Sequence, residues 1–118
     1  MSFESFFDAY IECALWSSTD NLDDSGGDPL DSGEYTLTKA AIATLRREAK
    51  DFYRSNEPVW RDVWDDAQAG HDFWLTRNGH GAGFWDRGHG ELGKRLSEAC
   101  KPYGSCDLYV SRRRIHVA

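Results

Sequence analysis

Near the start of the chain, apolar residues recur at steps of three and four: Phe3, Phe6, Phe7, Tyr10, Ile11, Ala14 and Leu15. That spacing predicts an amphipathic helix, with Ser2 as N-cap and Glu4 favourable beside the positive helix end. The period stops in "STDNLDDSGGDPLDSGEY", whose Asp, Ser, Gly and Pro content predicts a long acidic loop over about residues 18–36. Leu22, Leu30 and Tyr35 are its apolar tethers. A second helix follows, capped by Thr36 or Thr38, with Ile42, Leu45, Ala49 and Phe52 on one face and an end near Asn56. Pro58 suits the first turn of a third helix, lined by Trp60, Val63, Trp64 and Ala67 and closed by Gly70.

After Gly70 the period changes. "HDFWLTR" alternates Phe73, Leu75 and Arg77 against Trp74 and Thr76, the pattern of a half-buried strand. Asn78-Gly79 signals a turn and "GFWD" supplies a returning strand, so a hairpin is expected over residues 73–86, turning at 78–83. Helical spacing resumes in "HGELGKRLSEACKPYG" through Leu92, Leu96 and Ala99 or Cys100, and Pro102 with Gly104 stops it. "CDLYV" and "RIHVA" flank "SRR" as a C-terminal hairpin. The expected architecture is a single α+β domain over residues 1–118. Three N-terminal helices, a hairpin, a helix and a second hairpin form a small antiparallel sheet packed on helices.

Charge changes this picture more than length does. Residues 1–38 hold nine acids and no Lys or Arg, while residues 39–118 hold 11 acids and 14 bases, so −9 and +3 give the net −6. An acidic field repels phosphates, and Arg112, Arg113 and Arg114 alone make a thin footprint for nucleic acid. A partner protein with a basic surface fits the acidic segment better. No run approaches the roughly 18 apolar residues of a membrane span, and "MSFESFFDAY" puts acids where a signal peptide needs bases. Cys13, Cys100 and Cys106 are odd in number and lack a C-x-x-C pair, which points to reduced thiols and a cytoplasmic setting.

Candidate chemistry crowds into "GHDFWLTRNGHGAGFWDRGHG", residues 70–90, with three of the four histidines and two of the five tryptophans. His71, His80 and His89 stand nine residues apart, an interval that gives no local reason to converge on a metal. Cys100 and Cys106 are a poor zinc pair at C-x5-C. His80, between glycines, has Asp72 and Asp86 near enough in sequence to orient an imidazole, but no Ser or Cys stands in an elbow motif. The glycines have a simpler use, in tight turns. Asn21, Asp23, Ser25 and Gly26 match the opening of a calcium loop, yet Ser32 replaces the bidentate Glu and Glu34 comes two residues late. No cofactor is implied. In "FWDRG", Asp86 and Arg87 can pair with a partner's charges while Trp74 or Trp85 serves as an aromatic anchor. Asp20, Asp23, Asp24, Asp28 and Asp31 complete the expected partner-binding set. The alternative is a small hydrolase or metal protein centred on His71, His80 and His89.

"GGDPLD" followed by "GHDFWLTRNGHGAGFWDRG" resembles a family of small proteins encoded by tailed bacteriophages and prophages, over nearly the whole chain. The resemblance carries over no catalytic residue. It implies a bacterial host cell as the setting, and an accessory role there. Combined with the charge asymmetry, this predicts a protein that binds and inhibits a host factor, such as a nucleic-acid-handling defence complex, in the manner of an anti-CRISPR inhibitor. The ending "YVSRRRIHVA" departs from the acidic Asp-Gly turn expected of such relatives and makes this hairpin locally basic.

Overall fold

The computed structural model describes residues 2–18, 30–32, 35–79 and 82–118. Helix α1 (Phe3–Ser17) starts at Ser2, whose hydroxyl accepts from the Ser5 N–H at 3.3 Å. Helix α2 (Lys39–Trp60) starts at Thr38, whose Oγ1 accepts from the Ala41 N–H at 3.0 Å. Helix α3 (Asp66–Arg77) starts at Asp65, whose carboxylate accepts from the Gln68 N–H at 2.7 Å. Helix α4 (Glu91–Cys100) follows. Three strands, β1 (Thr36–Leu37), β2 (Leu108–Ser111) and β3 (Arg114–Val117), form one sheet in the order β1-β3-β2. The fold is α+β. Its sheet is mixed rather than antiparallel, because β1, at the end of the expected loop, runs parallel to β3.

The first helix, the fourth and the C-terminal hairpin lie where the sequence pattern places them. The middle does not. α2 continues past Asn56 and through Pro58 to Trp60, so no separate helix opens at Pro58. A proline in the last turn forfeits one hydrogen bond where the ladder is about to end, at modest cost. Gly70 does not close a helix; it lies inside α3. A Cβ there would sit 2.0 Å from the Phe6 carbonyl oxygen, so the glycine lets α3 lie directly on the α1 backbone.

The expected hairpin over residues 73–86 is overturned. Phe73 to Arg77 complete α3, and the returning segment is a short 3-10 turn, Phe84–Asp86. The alternation in "HDFWLTR" misleads because α3 is enclosed: Asp66, Ala69, Gly70, Asp72, Phe73, Trp74, Leu75 and Arg77 are all buried. A helix surrounded by its neighbours has no polar face, and the 3.6-residue period fades. Aromatic rings fill the space between the helices. Phe6 stacks on Trp60 with centroids 5.4 Å apart, and Phe52 stacks on Phe73 at 4.1 Å. Tyr10 and Phe84 are wholly buried beside them.

Candidate functional site

Three of the charged residues of the 70–90 motif, Asp72, Arg77 and Arg87, are engaged inside the molecule. Asp72 is fully buried on α3 and accepts from Trp64 Nε1 at 3.1 Å and Gln68 Nε2 at 2.9 Å. It also forms an ion pair with Arg87 at 2.6 Å. The Asp72 hydrogen bond is the main reason the Arg87 guanidinium is held above its ordinary pKa. Asp66, one turn and a half earlier, accepts from Tyr53 Oη at 3.1 Å and Trp60 Nε1 at 3.2 Å. Arg77 is buried and donates to the Tyr10 hydroxyl (2.8 Å), Glu48 (2.9 Å) and the carbonyls of Tyr103 and Gly104 (both 2.9 Å). These side chains tie α1, α2, α3 and the chain after α4 together, as buried polar groups must when their partners are internal.

The neighbouring polar residues are engaged in the same way. Asn78 Oδ1 accepts from the Cys106 N–H at 2.8 Å, and Thr76 Oγ1 accepts from the Phe84 N–H at 3.1 Å. Gly83 at φ +147° fits against Thr76, where a Cβ would come within 2.1 Å of Oγ1. The motif is therefore largely the signature of a helix-and-turn scaffold.

The binding residues expected from sequence fall into three groups. Trp74 is buried on α3 and donates to Ser17 Oγ at 2.7 Å, so it is not an interface anchor. Arg87 is paired with Asp72, whereas Asp86 is exposed. Trp85 is 55% exposed and lines a cavity of about 360 Å³ with Thr76, Ser97 and Lys101. Asp31 is exposed in a 3-10 turn, Leu30–Ser32. Asp20, Asp23, Asp24 and Asp28, with the calcium-loop residues Asn21, Ser25, Gly26 and Glu34, lie outside the described residues, as does His80.

His71 and His89 stand beside different rings. His89 is exposed, its ring 4.6 Å from that of Trp64. His71 is half-buried on α3, 6.4 Å from the ring of Trp16. Its Nδ1 is buried without a hydrogen-bond partner among the described residues. His71 and Glu12 line an open cleft of about 450 Å³ together with Asp65, Gln68 and Arg87. Among the described residues, no three His, Cys, Asp or Glu side chains are grouped to hold a metal ion. The three thiols are buried, and burial pushes Cys13 and Cys100 up to about 12 and Cys106 upward as well. A thiol so placed is a poor nucleophile at neutral pH.

One surface was not read from the sequence. Phe7, Ile11 and Leu15 of α1, Leu37 of β1 and Ile42 of α2 line an apolar groove of about 410 Å³, rimmed by Asp8, Glu12 and Asp31. Trp16, 60% exposed, ends the same helix. The signal was available: seven apolar residues in three and a half turns make a stripe wider than one buried face needs. Compared with protein-family models, with curated proteins and with solved structures, the chain matches none.

Proposed function

We propose that the protein acts by binding, as a small phage-type accessory protein that inhibits a host factor bearing a basic surface. A nucleic-acid-handling bacterial defence complex is the partner class that such a surface defines, and the mode is that of an anti-CRISPR inhibitor. One observation carries this reading. Asp72, Arg77 and Arg87 are engaged internally, whereas Asp8, Glu12 and Asp31 of the acidic N-terminal part are exposed and, unlike Glu4, make no ion pair among the described residues. Surfaces of one sign steer a partner of the other sign and suppress wrong ones. The motif's resemblance to phage proteins supports the host setting. None of the described helices is long and apolar enough to cross a membrane.

The test has two parts. Immobilised protein is exposed to bacterial lysate at low and high salt, and retained proteins are identified by mass spectrometry. Retention of a basic nucleic-acid-handling protein that is lost at high salt is expected. In parallel, expressing the chain in cells with an active CRISPR system should restore plating of a targeted phage. Absence of both retention and restored plating would overturn the reading.

A second reading has one observation in its favour: the Nδ1 of His71, buried and unpartnered among the described residues, on a side chain that lines a cleft with Glu12. It is a small His-centred enzyme, and it requires a turnover that His71→Gln abolishes with the fold intact.

A further inference from the structure

α1 carries two apolar rows. Phe6, Tyr10, Cys13 and Ala14 enter the core, while Phe7, itself buried, and the half-buried Ile11 and Leu15, four residues apart, line the flank. Three residues at that interval make a ridge about 12 Å long on one side of a helix. With Leu37 and Ile42 they floor the 410 Å³ groove, and Ile42 is 40% exposed in it. All the polar lining is acidic: Asp8, Glu12 and Asp31. Two bases stand beside it: Arg46 is paired with Glu4 and stands over the Phe3 and Phe7 rings at 5.2 Å, and Arg114 donates to the Leu37 carbonyl at 3.4 Å.

We infer that this groove seats an amphipathic helix of the partner, with an apolar face flanked by Lys or Arg. The inference rests on the binding role proposed above and names the occupant. A helix is favoured because the floor is a row of side chains at i, i+4 and i+8, which the ridge of another helix can interdigitate. β1, with two residues, is too short to template an added strand. Basic flanks are required because apolar burial there desolvates the rim carboxylates, which then need cations at hand. Asp8 and Glu12 are one turn apart, so Lys or Arg four residues apart on the partner would meet both. The chain's own residues 19–29 hold one large apolar side chain, Leu22, and four acids without a base, so they add charge of the rim's own sign. A second copy docked face to face brings like acids together.

The probe is a synthetic helical peptide of about five turns, with Leu along one face and Lys on both flanks. Two controls keep its length: one replaces each Lys by Glu, and one scrambles the order. Binding to the full chain is followed by fluorescence anisotropy, and its place by amide chemical shifts. The Lys peptide is expected to saturate, with shifts confined to α1, Leu37 and the start of α2. Glu12→Lys with Asp31→Lys should weaken it at least tenfold and admit the Glu peptide, and Ile11→Asp should abolish binding with the circular dichroism unchanged.

Equal binding of the scrambled peptide, or shifts elsewhere, would overturn the inference. So would a tenfold gain on replacing residues 19–29 by a Gly-Ser linker, which would make the chain its own occupant. Concentration-dependent dimerisation lost in Ile11→Asp would assign the groove to a second copy and overturn it too. If Ile11→Asp still captures the host partner, the groove assignment falls and the binding role stands. If the peptide seats in the groove while no host protein is retained, the inhibitory role falls and the groove stands.

Discussion

Asp72 and Asp86 are both aspartates of one motif, and nothing in their letters separates them. Burial does. Asp72 is enclosed and holds Arg87, Trp64 and Gln68, whereas Asp86 is exposed on a 3-10 turn. Removing one partner of a buried pair strands the other, so Asp72→Ala is expected to destabilise the fold by about 3–5 kcal/mol. Asp86→Ala should fall within about 0.5 kcal/mol of the parent, both read by urea unfolding. The thiols give a pH dependence. Cys13 and Cys100 move from an ordinary 9.0 to about 12 because burial penalises the thiolate. The unfolded chain therefore releases these protons first as pH rises. Stability is intact below pH 9, falls as the unfolded thiols ionise, and is lost progressively toward pH 12. Unfolding midpoints measured across pH 8 to 11 should decline. A thiol reagent at pH 8 should label the native protein far more slowly than the denatured one. Rapid native labelling of all three cysteines would contradict their placement.

Elements were legible where their ends were marked and one face was wet. Ser2 and Thr38 cap α1 and α2, the 92-96-100 row marks α4, and Arg112-Arg113 turns between two alternating strands. α3 was not legible, since it is covered on most sides and its glycine resembles a stop signal. Only the approach of the Phe6 carbonyl explains Gly70, and that contact spans more than sixty residues. Gly70→Ala should gain up to about 1 kcal/mol in helix propensity and still destabilise by about 2–4 kcal/mol, because α1 must move away. A net gain in stability would refute the close crossing. The C-terminal turn makes the opposite prediction. Arg112 and Arg113 sit at φ +52° and +62°, left-handed values that cost a non-glycine residue about 1 kcal/mol or more each. Arg112→Asn with Arg113→Gly is therefore expected to raise stability by about 1–2 kcal/mol in thermal unfolding, at any salt concentration. A gain that disappears in high salt would instead trace to relief of arginine repulsion.

The molecule as a whole separates groups that hold it together from groups it presents. Composition showed the acidic N-terminal part at once, because charge sums need no structure. It could not show the groove, which joins α1, β1 and α2 across the long acidic connection. Nor could it show that Trp74 is internal while Trp85 is presented. Those differences give the binding proposal a kinetic form. Exposed acids act at a distance, raising the association rate until salt screens them beyond about 8–10 Å. Side chains buried in the contact act later, on dissociation. Replacing Asp23, Asp24, Asp28 and Asp31 with Asn should therefore slow association with the captured partner at low salt and flatten the salt dependence of that rate. Thermal stability should change little. Trp85→Ala, if that ring is in the contact, should leave association nearly unchanged and speed dissociation by roughly thirtyfold or more, the equivalent of about 2 kcal/mol. Trp74→Ala serves as the contrast, since loss of a core ring costs about 3–5 kcal/mol of stability. Both rates are read on a surface carrying the partner at two salt concentrations. An unchanged low-salt association rate in the quadruple Asn variant would remove the acidic segment from the encounter and leave the groove rim, Asp8 and Glu12, as the charges to reverse next.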